Sequence, residues 1–366
     1  MKMIFFLIAF CLVSVRYYFS WAGKERQKRG VTESDIVIKS DNFYEEINYS
    51  GKFQLSEDEG GFKSISPGGY FKFRKNEIKV KAESNLRGEI EYFIYDGKNK
   101  LSPDGDGKLF ISTAIKEMIY WGYDADQRME RVYQRGGVQA LLSEVDSIKT
   151  DQVKVLYLNR LFAIDSLHPG FMPLILQKVA NMGSDQDKVN FLTRIPVGRL
   201  NDASNDSAYF EIIKRIGSDV DKANALRHII NQDSVAEVNT DKILILTGGL
   251  NSDVDKDQFL RKMIDKGLIK GSSFDTLLTL ISKMGSDVDK AGIYKELINQ
   301  KNLNESQWIK LLYKISLLGS DYDKANLLVE LALLMPQSGN LKINYQKAAK
   351  TLNNDNDYGR VMRALQ

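Results

Sequence analysis

The hexapeptide "GSDVDK" occurs at residues 217–222 and again at 285–290, and close variants recur along the chain. The variants "GSDQDK", "NSDVDK" and "GSDYDK" start at residues 183, 251 and 319, so consecutive blocks are 34 residues apart. The same frame extends backwards to "KTDQVK" at 149 and forwards to "NNDNDY" at 353. A fixed period of this length predicts a repeat architecture in which each unit is one supersecondary element.

Two apolar runs with helical spacing occupy each unit. After one block, Leu226, Ile229 and Ile230 follow the i, i+3, i+4 pattern of a helix with one buried face. A polar stretch follows, such as "NQDSVAEVNTD" (231–241) or "NQKNLNESQ" (299–307), and then a second periodic run begins, for example at Trp308. Each unit is therefore predicted to be a helical hairpin. A hairpin cannot bury its apolar face alone, so we expect neighbouring units to stack into an α-solenoid of the HEAT or TPR type, starting at residues 149, 183, 217, 251, 285, 319 and 353.

The blocks themselves are predicted to be helix caps. Gly in the first position is expected to end the preceding helix in the left-handed conformation, and Ser in the second position is a preferred N-cap. The Asp three residues after that Ser is placed to complete a capping box, and the earlier Asp lies in the first turn, where the helix dipole favours an anion. The predicted cap residues are Gly183, Ser184, Asp187, Gly217, Ser218, Asp221, Ser252, Asp255, Gly285, Ser286, Asp289, Gly319, Ser320 and Asp323.

A ladder of calcium sites is the alternative interpretation of these acidic blocks. A calcium loop brings several oxygens together from one segment, with a glycine turn between them. Here a lysine follows each acidic pair, as Lys222 does, and we expect it to pair with Asp of its own or the adjacent unit. The segment "PDGDGK" (103–108) lacks a third acidic residue and a closing Glu, so a turn is favoured there over an EF-hand.

Upstream of the repeats, residues 34–100 alternate with a period of two. Phe71 and Phe73 face one side in "YFKF" and Lys72 the other, while "EIKVKA" (77–82) and "GEIEYFIYDGKN" (88–99) continue the alternation. This segment is predicted to be a small antiparallel β domain. Residues 101–135 are expected to be connecting helices that lead to the repeats at 136–366, so the predicted fold class is α+β, mostly α.

The N-terminus has the pattern of a targeting segment. Lys2 precedes the apolar run "MIFFLIAFCLVSV" (3–15), and Ser20 and Ala22 stand at signal-peptidase spacing, which predicts a signal peptide over 1–22 and a basic linker over 23–33. Positive charge after the run leaves an uncleaved membrane anchor as the alternative. Export predicts a periplasmic or cell-envelope protein, and cleavage would remove Cys11, the only cysteine.

Charge and motif content narrow the function classes. The first 30 residues hold six Lys or Arg against one Glu, so the other 336 carry a net charge of −2 and give no general reason to bind nucleic acid. The two histidines, His168 and His228, stand far apart without further ligands at metal spacing. No HExxH, GxSxG, P-loop or dinucleotide motif occurs, so no enzyme activity, cofactor or metal is predicted. A pair of carboxylates acting as acid and base is left open.

Three segments together resemble a known group of proteins. "SISPGGYFKF" (64–73), "RGGVQALLSEVDSI" (135–148) and the serial SDxDK units are similar to an uncharacterised family of bacterial envelope proteins, mainly from Bacteroidetes. They also resemble the extracytoplasmic tails of membrane zinc peptidases of the β-lactam-sensor type. The likeness covers about residues 43–366, but HExxH and multiple membrane spans are lacking, so it implies no peptidase activity.

Three functions follow as hypotheses. The first is a non-catalytic protein-interaction scaffold of the envelope, because repeats present long surfaces to a protein or peptide partner. The second is an envelope sensor or regulatory protein that binds a small molecule or glycan on the β domain. The third is a hydrolase of unknown type. In each case the membrane is contacted only through the N-terminal segment, if that segment stays uncut.

Overall fold

The structure is a computed structural model. It describes residues 20–21, 33–40, 43–164, 167–196, 200, 203–300 and 302–365. The predicted signal peptide and basic linker lie outside the described residues, except for Ser20, Trp21 and Glu33. Among the helices that are described, none has the length and apolar character needed to cross a membrane.

The N-terminal part of the chain forms an antiparallel sheet, as predicted. Its strands are β1 (Ser20–Trp21), β2 (Glu33–Ser40), β3 (Phe43–Ser50), β6 (Tyr70–Lys75), β7 (Ile78–Ser84), β8 (Ile90–Asp96) and β9 (Asn99–Leu101), hydrogen-bonded in that order. Strands β4 (Phe53–Leu55) and β5 (Phe62–Ile65) pair separately. Every pairing is antiparallel.

Alternation along the strands sends one set of side chains into a core. Phe71, Phe73 and Val80 are buried on this side, while Lys72, Arg74 and Lys79 are exposed on the other. Helix α1 (Gly107–Tyr120) covers the buried side with its apolar residues Ile111, Ala114, Ile115, Met118 and Ile119. Removing these side chains from water is the main stabilisation of the sheet.

The rest of the chain is helical, so the described protein is α+β and mostly α. The helices are α2 (Ala125–Ser147), α3 (Asp151–Phe162), α4 (Met172–Ala180), α5 (Asp185–Leu192), α6 (Ala203–Arg215), α7 (Asp219–Ile230), α8 (Asp233–Val238), α9 (Thr240–Gly248), α10 (Asp253–Asp265), α11 (Ser273–Ser282), α12 (Asp287–Asn299), α13 (Glu305–Ser316), α14 (Asp321–Leu334), α15 (Gly339–Ala349) and α16 (Asp355–Ala364). A short 3-10 turn, Pro169–Phe171, precedes α4.

Helices that occupy the same place in successive units contact one another. The first helices of the units pack in the series α7, α10, α12, α14 and α16, and the second helices in the series α9, α11, α13 and α15. Within a unit the two helices also touch, as α12 does with α13 and α14 with α15. Each apolar face is thus buried by its own partner and by equivalent helices of neighbouring units.

The chain divides into two compact units. One comprises 1–130 and 147–153, and the other comprises 131–146 and 154–366. Helix α1, which we expected to be a connecting helix, shares the buried core of the sheet and belongs to the first unit. Its apolar face complements the apolar face of the sheet, and strand alternation alone could not reveal which segment supplies that cover.

Two local features of the repeats were not predicted from the sequence. The polar stretch 231–241 contains helix α8, so the second helical segment of that unit is divided into α8 and α9. The stretch 299–307 ends in a true capping box, because Asn304 Oδ1 accepts from the Gln307 N–H and Gln307 Oε1 accepts from the Asn304 N–H. The Asn-x-x-Gln spacing is the sequence pattern from which this cap could have been predicted.

Candidate functional site

The recurring blocks form the joints between consecutive helical units. At each joint the Ser is the N-cap of the following helix, and its Oγ accepts a hydrogen bond from the N–H of the Asp three residues later. The five bonds are Ser184 to Asp187 at 3.1 Å, Ser218 to Asp221 at 3.3 Å, Ser252 to Asp255 at 3.2 Å, Ser286 to Asp289 at 3.2 Å and Ser320 to Asp323 at 3.2 Å. Each satisfies one of the free N–H groups at a helix start.

The second half of the predicted capping box is wrong at three of these joints. The N–H of Ser218 donates to Asp185 of the preceding unit at 3.3 Å, instead of to Asp221 of its own unit. Ser286 donates in the same way to Asp253, and Ser320 to Asp287. The capping acceptor therefore comes from about one repeat earlier, which local spacing within one helix could not indicate.

The first-turn Asp of each block connects one unit to the next. We call these residues the joint aspartates: Asp185, Asp219, Asp253, Asp287 and Asp321. One carboxylate oxygen, Oδ2, accepts the N–H of the first block residue in the following unit: Gly217 at 2.8 Å, Asn251 at 2.8 Å, Gly285 at 2.6 Å, Gly319 at 2.7 Å and Asn353 at 2.7 Å. The same bond recurs across a separation of 32 residues.

The other oxygen of most joint aspartates binds a lysine of its own unit. Oδ1 accepts from Lys188, Lys256 and Lys290 at 3.0 Å each, and from Lys324 at 3.4 Å. In the remaining joint, Asn251 Nδ2 donates to Asp219 Oδ1 at 3.3 Å. Lys188 and Lys324 are buried despite their charge, which is tolerated because each has an anionic partner.

These contacts favour the ionised form of three joint aspartates, Asp185, Asp253 and Asp287. Burial acts to raise the pKa of Asp253, but the hydrogen bonds from Lys256, Ser286 and Gly285 lower it below its ordinary value. Asp185 and Asp287 show the same direction for the same reasons. A carboxylate with both oxygens bound and a neighbouring ammonium is neutralised inside the protein, which disfavours calcium as its partner.

The left-handed glycine predicted at the first block position is also wrong. None of the described block glycines Gly183, Gly217, Gly285 and Gly319 has a positive φ angle. A Cβ added to Gly217 or Gly285 would meet only the preceding joint aspartate at ordinary contact distance, 3.6 and 3.5 Å, and Asn occupies the same position at 251. At Gly319 the approach is tighter, with Asp287 Oδ2 at 3.1 Å.

A row of exposed apolar side chains accompanies the joints and was missed by the sequence analysis. The residue between the two Asp of each block is Val220, Val254, Val288 or Tyr322 in four consecutive units, with exposed fractions of 65, 57, 70 and 69%. We call these four residues the apolar ridge. In the outer units this position holds Gln186 and Asn356, so capping does not require an apolar residue there. The sequence signal for this row was the valine between the two Asp residues of "SDVDK", an apolar residue in an otherwise polar block.

Carboxylates flank the apolar ridge. Asp221, Asp255, Asp289 and Asp323 each follow a ridge residue, and within the part of the chain that the structure describes none of them has an ion-pair partner. Their backbone N–H groups bind the N-cap serines, while their carboxylates lie at helix N-termini, where the helix dipole is favourable to an anion. The apolar ridge is therefore accompanied by a parallel series of four carboxylates that carry negative charge.

Some carboxyl groups of the described protein lie close to one another, and two such pairs join separate elements. Glu45 and Glu117 share the ammonium of Lys75, at 3.3 and 2.8 Å, and Trp121 Nε1 donates to Glu45 at 3.0 Å. Burial would lower the pKa of Lys75, but the hydrogen bond and charge of Glu117 and the charge of Glu45 raise it. This cluster joins α1 to the sheet, so it fits a structural role.

The second pair joins two neighbouring repeat helices. Burial raises the pKa of Glu296, and the hydrogen bond and negative charge of Asp265 raise it further. Asp265 ends α10 and Glu296 lies in α12. Like the first pair, this pair links separate elements of the fold.

The histidines take structural positions. His168 Nδ1 accepts from the Gly170 N–H at 3.1 Å and caps the 3-10 turn, while the His228 ring lies 2.6 Å from the Gln232 side-chain nitrogen. Burial lowers the pKa of His228. Over the described ranges no group of three His, Cys, Asp or Glu side chains is arranged to hold a metal ion.

Comparisons with protein-family models, with curated proteins and with solved structures found no match to this chain.

Proposed function

We propose that the protein is a non-catalytic interaction scaffold of the bacterial cell envelope, whose 34-residue hairpins stack as an α-solenoid and bind an extended polypeptide along the apolar ridge. The observation that carries this proposal is the ridge itself. Single exposed apolar residues are ordinary on a protein surface, but a row at one repeat position is an exposed patch of the kind that marks interaction sites.

The stacking of the units is supported by the joints. Equivalent helices contact one another, and every joint aspartate from Asp185 to Asp321 binds the backbone of the following unit. These bonds repeat at a fixed separation, so they relate each unit to the next by a similar displacement. Repetition of one displacement generates a solenoid.

The spacing of the ridge indicates the geometry of the partner. Packed helices lie about 8–10 Å apart, so the four ridge residues extend over roughly 30 Å. An extended chain in the polyproline II conformation rises about 3.1 Å per residue and has three residues per turn, so every third side chain lies on one face and one turn corresponds to one repeat. We therefore infer a partner segment of about ten residues with an apolar side chain at every third position.

The charge beside the ridge indicates which residues lie between the apolar residues of the partner segment. The carboxylates of Asp221, Asp255, Asp289 and Asp323 follow the ridge residues and are not neutralised within the described chain. A segment with Lys or Arg between its apolar residues would neutralise them, and complementary charge gives specificity and faster association. The partner is thus a basic, extended segment of another protein.

Binding is tested with two peptides and two variants of the full chain. The first peptide has Leu at every third position and Lys between, and the second replaces Lys by Glu. The ridge variant carries Val220→Gln, Val254→Gln, Val288→Gln and Tyr322→Gln, and the control variant carries Ile245→Gln, Leu317→Gln, Leu333→Gln and Ile343→Gln at four equally exposed apolar positions. By fluorescence anisotropy we expect the Lys peptide to bind the parent and control proteins at least tenfold more tightly than the ridge variant.

Crosslinking in fractionated cells tests the same proposal for the natural partner. The parent and the control variant should crosslink to one stoichiometric protein in the envelope fraction, and the ridge variant should not. Equal crosslinking by the ridge and control variants, or preference for the Glu peptide, would contradict binding at the ridge. Recovery of the protein in the cytosol would contradict the proposed localisation.

A further inference from the structure

The exposed side of the sheet concentrates positive charge at facing positions on adjacent strands. Lys72 on β6 is paired in register with Lys81 on β7, and Arg74 is paired with Lys79. Like charges directly opposite each other destabilise a sheet. Four cations in two adjacent facing pairs therefore oppose folding unless something else neutralises them. We call Lys72, Arg74, Lys79 and Lys81 the basic face.

Carboxylates of the sheet neutralise this charge only in part. Glu83 forms an ion pair with Lys81. Glu46 stands opposite Arg74, but its carboxylate accepts the Tyr44 hydroxyl at 2.5 Å and forms no ion pair with Arg74. For Lys72, Arg74 and Lys79 no carboxylate partner exists among the residues that the structure describes. Three cations of the basic face thus remain available to a ligand.

Aromatic rings position these cations without neutralising them. The Lys72 ammonium lies 4.8 Å from the centre of the Tyr70 ring, and the Arg74 guanidinium lies 4.7 Å from that of Tyr44. Lys81 and Lys100 lie 5.1 and 5.7 Å from the centre of the Phe93 ring. Cation–π contacts restrict long side chains while the full positive charge is retained, so the face is partly ordered before a ligand binds.

A shallow pocket of about 280 Å³ lies at this position. It is lined by the four cations and one carboxylate, that of Glu46, together with Phe73, Val80, Phe93 and Tyr95. Phe93 and Tyr95 continue the strand register from Lys81 and Lys79 onto β8. Its volume is near the lower end of small-ligand sites and suits one or two sugar rings. Lining that combines cations with aromatic and aliphatic atoms favours a compact ring that carries anionic groups.

We propose that the basic face of the sheet binds an acidic oligosaccharide, a sugar that carries carboxylate, sulfate or phosphate groups. Arg74 offers a planar fork that binds an oxyanion through two parallel hydrogen bonds, while Lys72 and Lys79 bind as point charges. Binding would remove the repulsion between the facing pairs. The site belongs to the sheet unit and does not depend on the ridge.

Calorimetric titration of the full chain tests this proposal. The probes are a trigalacturonate, a sulfated disaccharide from heparin, inorganic phosphate, a ten-nucleotide single-stranded DNA and phosphatidylglycerol vesicles. The face variant is Lys72→Gln with Lys79→Gln, and the control variant is Lys52→Gln with Lys63→Gln, two exposed lysines of the same unit with the same change in net charge. We expect at least one of the two saccharides to bind the parent and control proteins, and to bind the face variant at least tenfold more weakly.

Thermal unfolding provides the check on folding. Because the face variant loses one cation from each facing pair, its unfolding midpoint should equal or exceed that of the parent at low salt, so lost binding cannot be attributed to misfolding. Absence of saccharide binding, equal weakening in both variants, or tighter face-dependent binding of DNA or vesicles than of either saccharide would overturn the proposal. Binding of phosphate alone would also overturn it.

Discussion

At the scale of single residues, the joint aspartates carry the most information about how this protein is held together. Asp253 binds Lys256 through one oxygen and the N–H groups of Gly285 and Ser286 through the other. Asp255, two residues later in the same helical turn, has no ion pair in the described chain. The two carboxylates share a helix N-terminus but differ in what they bind, so they form a matched pair for mutation.

Replacement of Asp253 by Asn should lower the unfolding free energy by about 1–2 kcal/mol at pH 7, because an ion pair and charge-assisted bonds to two N–H groups are lost. Asp255→Asn should lower it by less than about 0.5 kcal/mol, since only the interaction with the helix dipole changes. Urea denaturation of both variants measures the difference. An equal loss of unfolding free energy in both variants would mean that Asp253 stabilises the protein only through its interaction with the helix dipole.

The pH dependence of that difference has a definite sign. The folded pKa of Asp253 is depressed, so its contribution is complete above the unfolded value of about 3.9 and is lost as the pH falls through the lower folded value. The parent and Asp253→Asn proteins should therefore converge in stability as the pH is lowered below about 4. The pairing of a block lysine with Asp was predicted from the sequence and is present as Lys256 to Asp253, whereas the bonds of Asp253 to Gly285 and Ser286 were not predicted.

At the scale of elements, the turn before α1 shows how closely the helix approaches the sheet. A Cβ on Gly107 would lie 2.4 Å from the Ser102 carbonyl oxygen and 2.7 Å from Ile94 Cδ1. Gly105, two residues earlier in the same turn, has open space around the corresponding position. The turn predicted for "PDGDGK" is present at residues 103–106, but the pattern of residues did not show which of its two glycines the packing requires.

Gly107→Ala should destabilise the protein by about 1–3 kcal/mol, because backbone and a buried isoleucine must move to admit the methyl group. Gly105→Ala should change stability by less than about 0.5 kcal/mol, as is usual for an open surface position. Thermal unfolding of the two variants, followed by near-ultraviolet circular dichroism, makes the comparison. Equal midpoints would show that α1 can move away from the sheet without cost.

At the scale of the whole molecule, the equivalence of the repeats can be tested by removing one. Deletion of residues 251–284 joins Leu250 to Gly285, so Asp219 would meet the N–H groups that Asp253 binds in the parent. The shortened protein should keep its helical content per residue and unfold cooperatively, with a lower midpoint because one interface is lost.

A shorter deletion is the control for this experiment. Removal of residues 251–267 takes away α10 and leaves α11 without its hairpin partner, which exposes apolar surface and breaks the register of the joints. Helicity per residue should then fall in the far-ultraviolet spectrum. Equal behaviour of the two deletions would contradict a stack of equivalent hairpins.

Local sequence patterns were sufficient to predict the repeat period, the helix starts at Ser184 to Ser320, and the alternation that gives the sheet one buried side. These features depend on groups within a few residues of one another, so their signals are local. Three features became visible only in the folded protein: the bond from Ser218 of the next unit to Asp185, the pairing of Lys72 with Lys81, and the exposure of Val220, Val254, Val288 and Tyr322. These features depend on contacts between residues that are far apart in the sequence. The spacing of residues within one segment does not indicate which distant segment will pack against it.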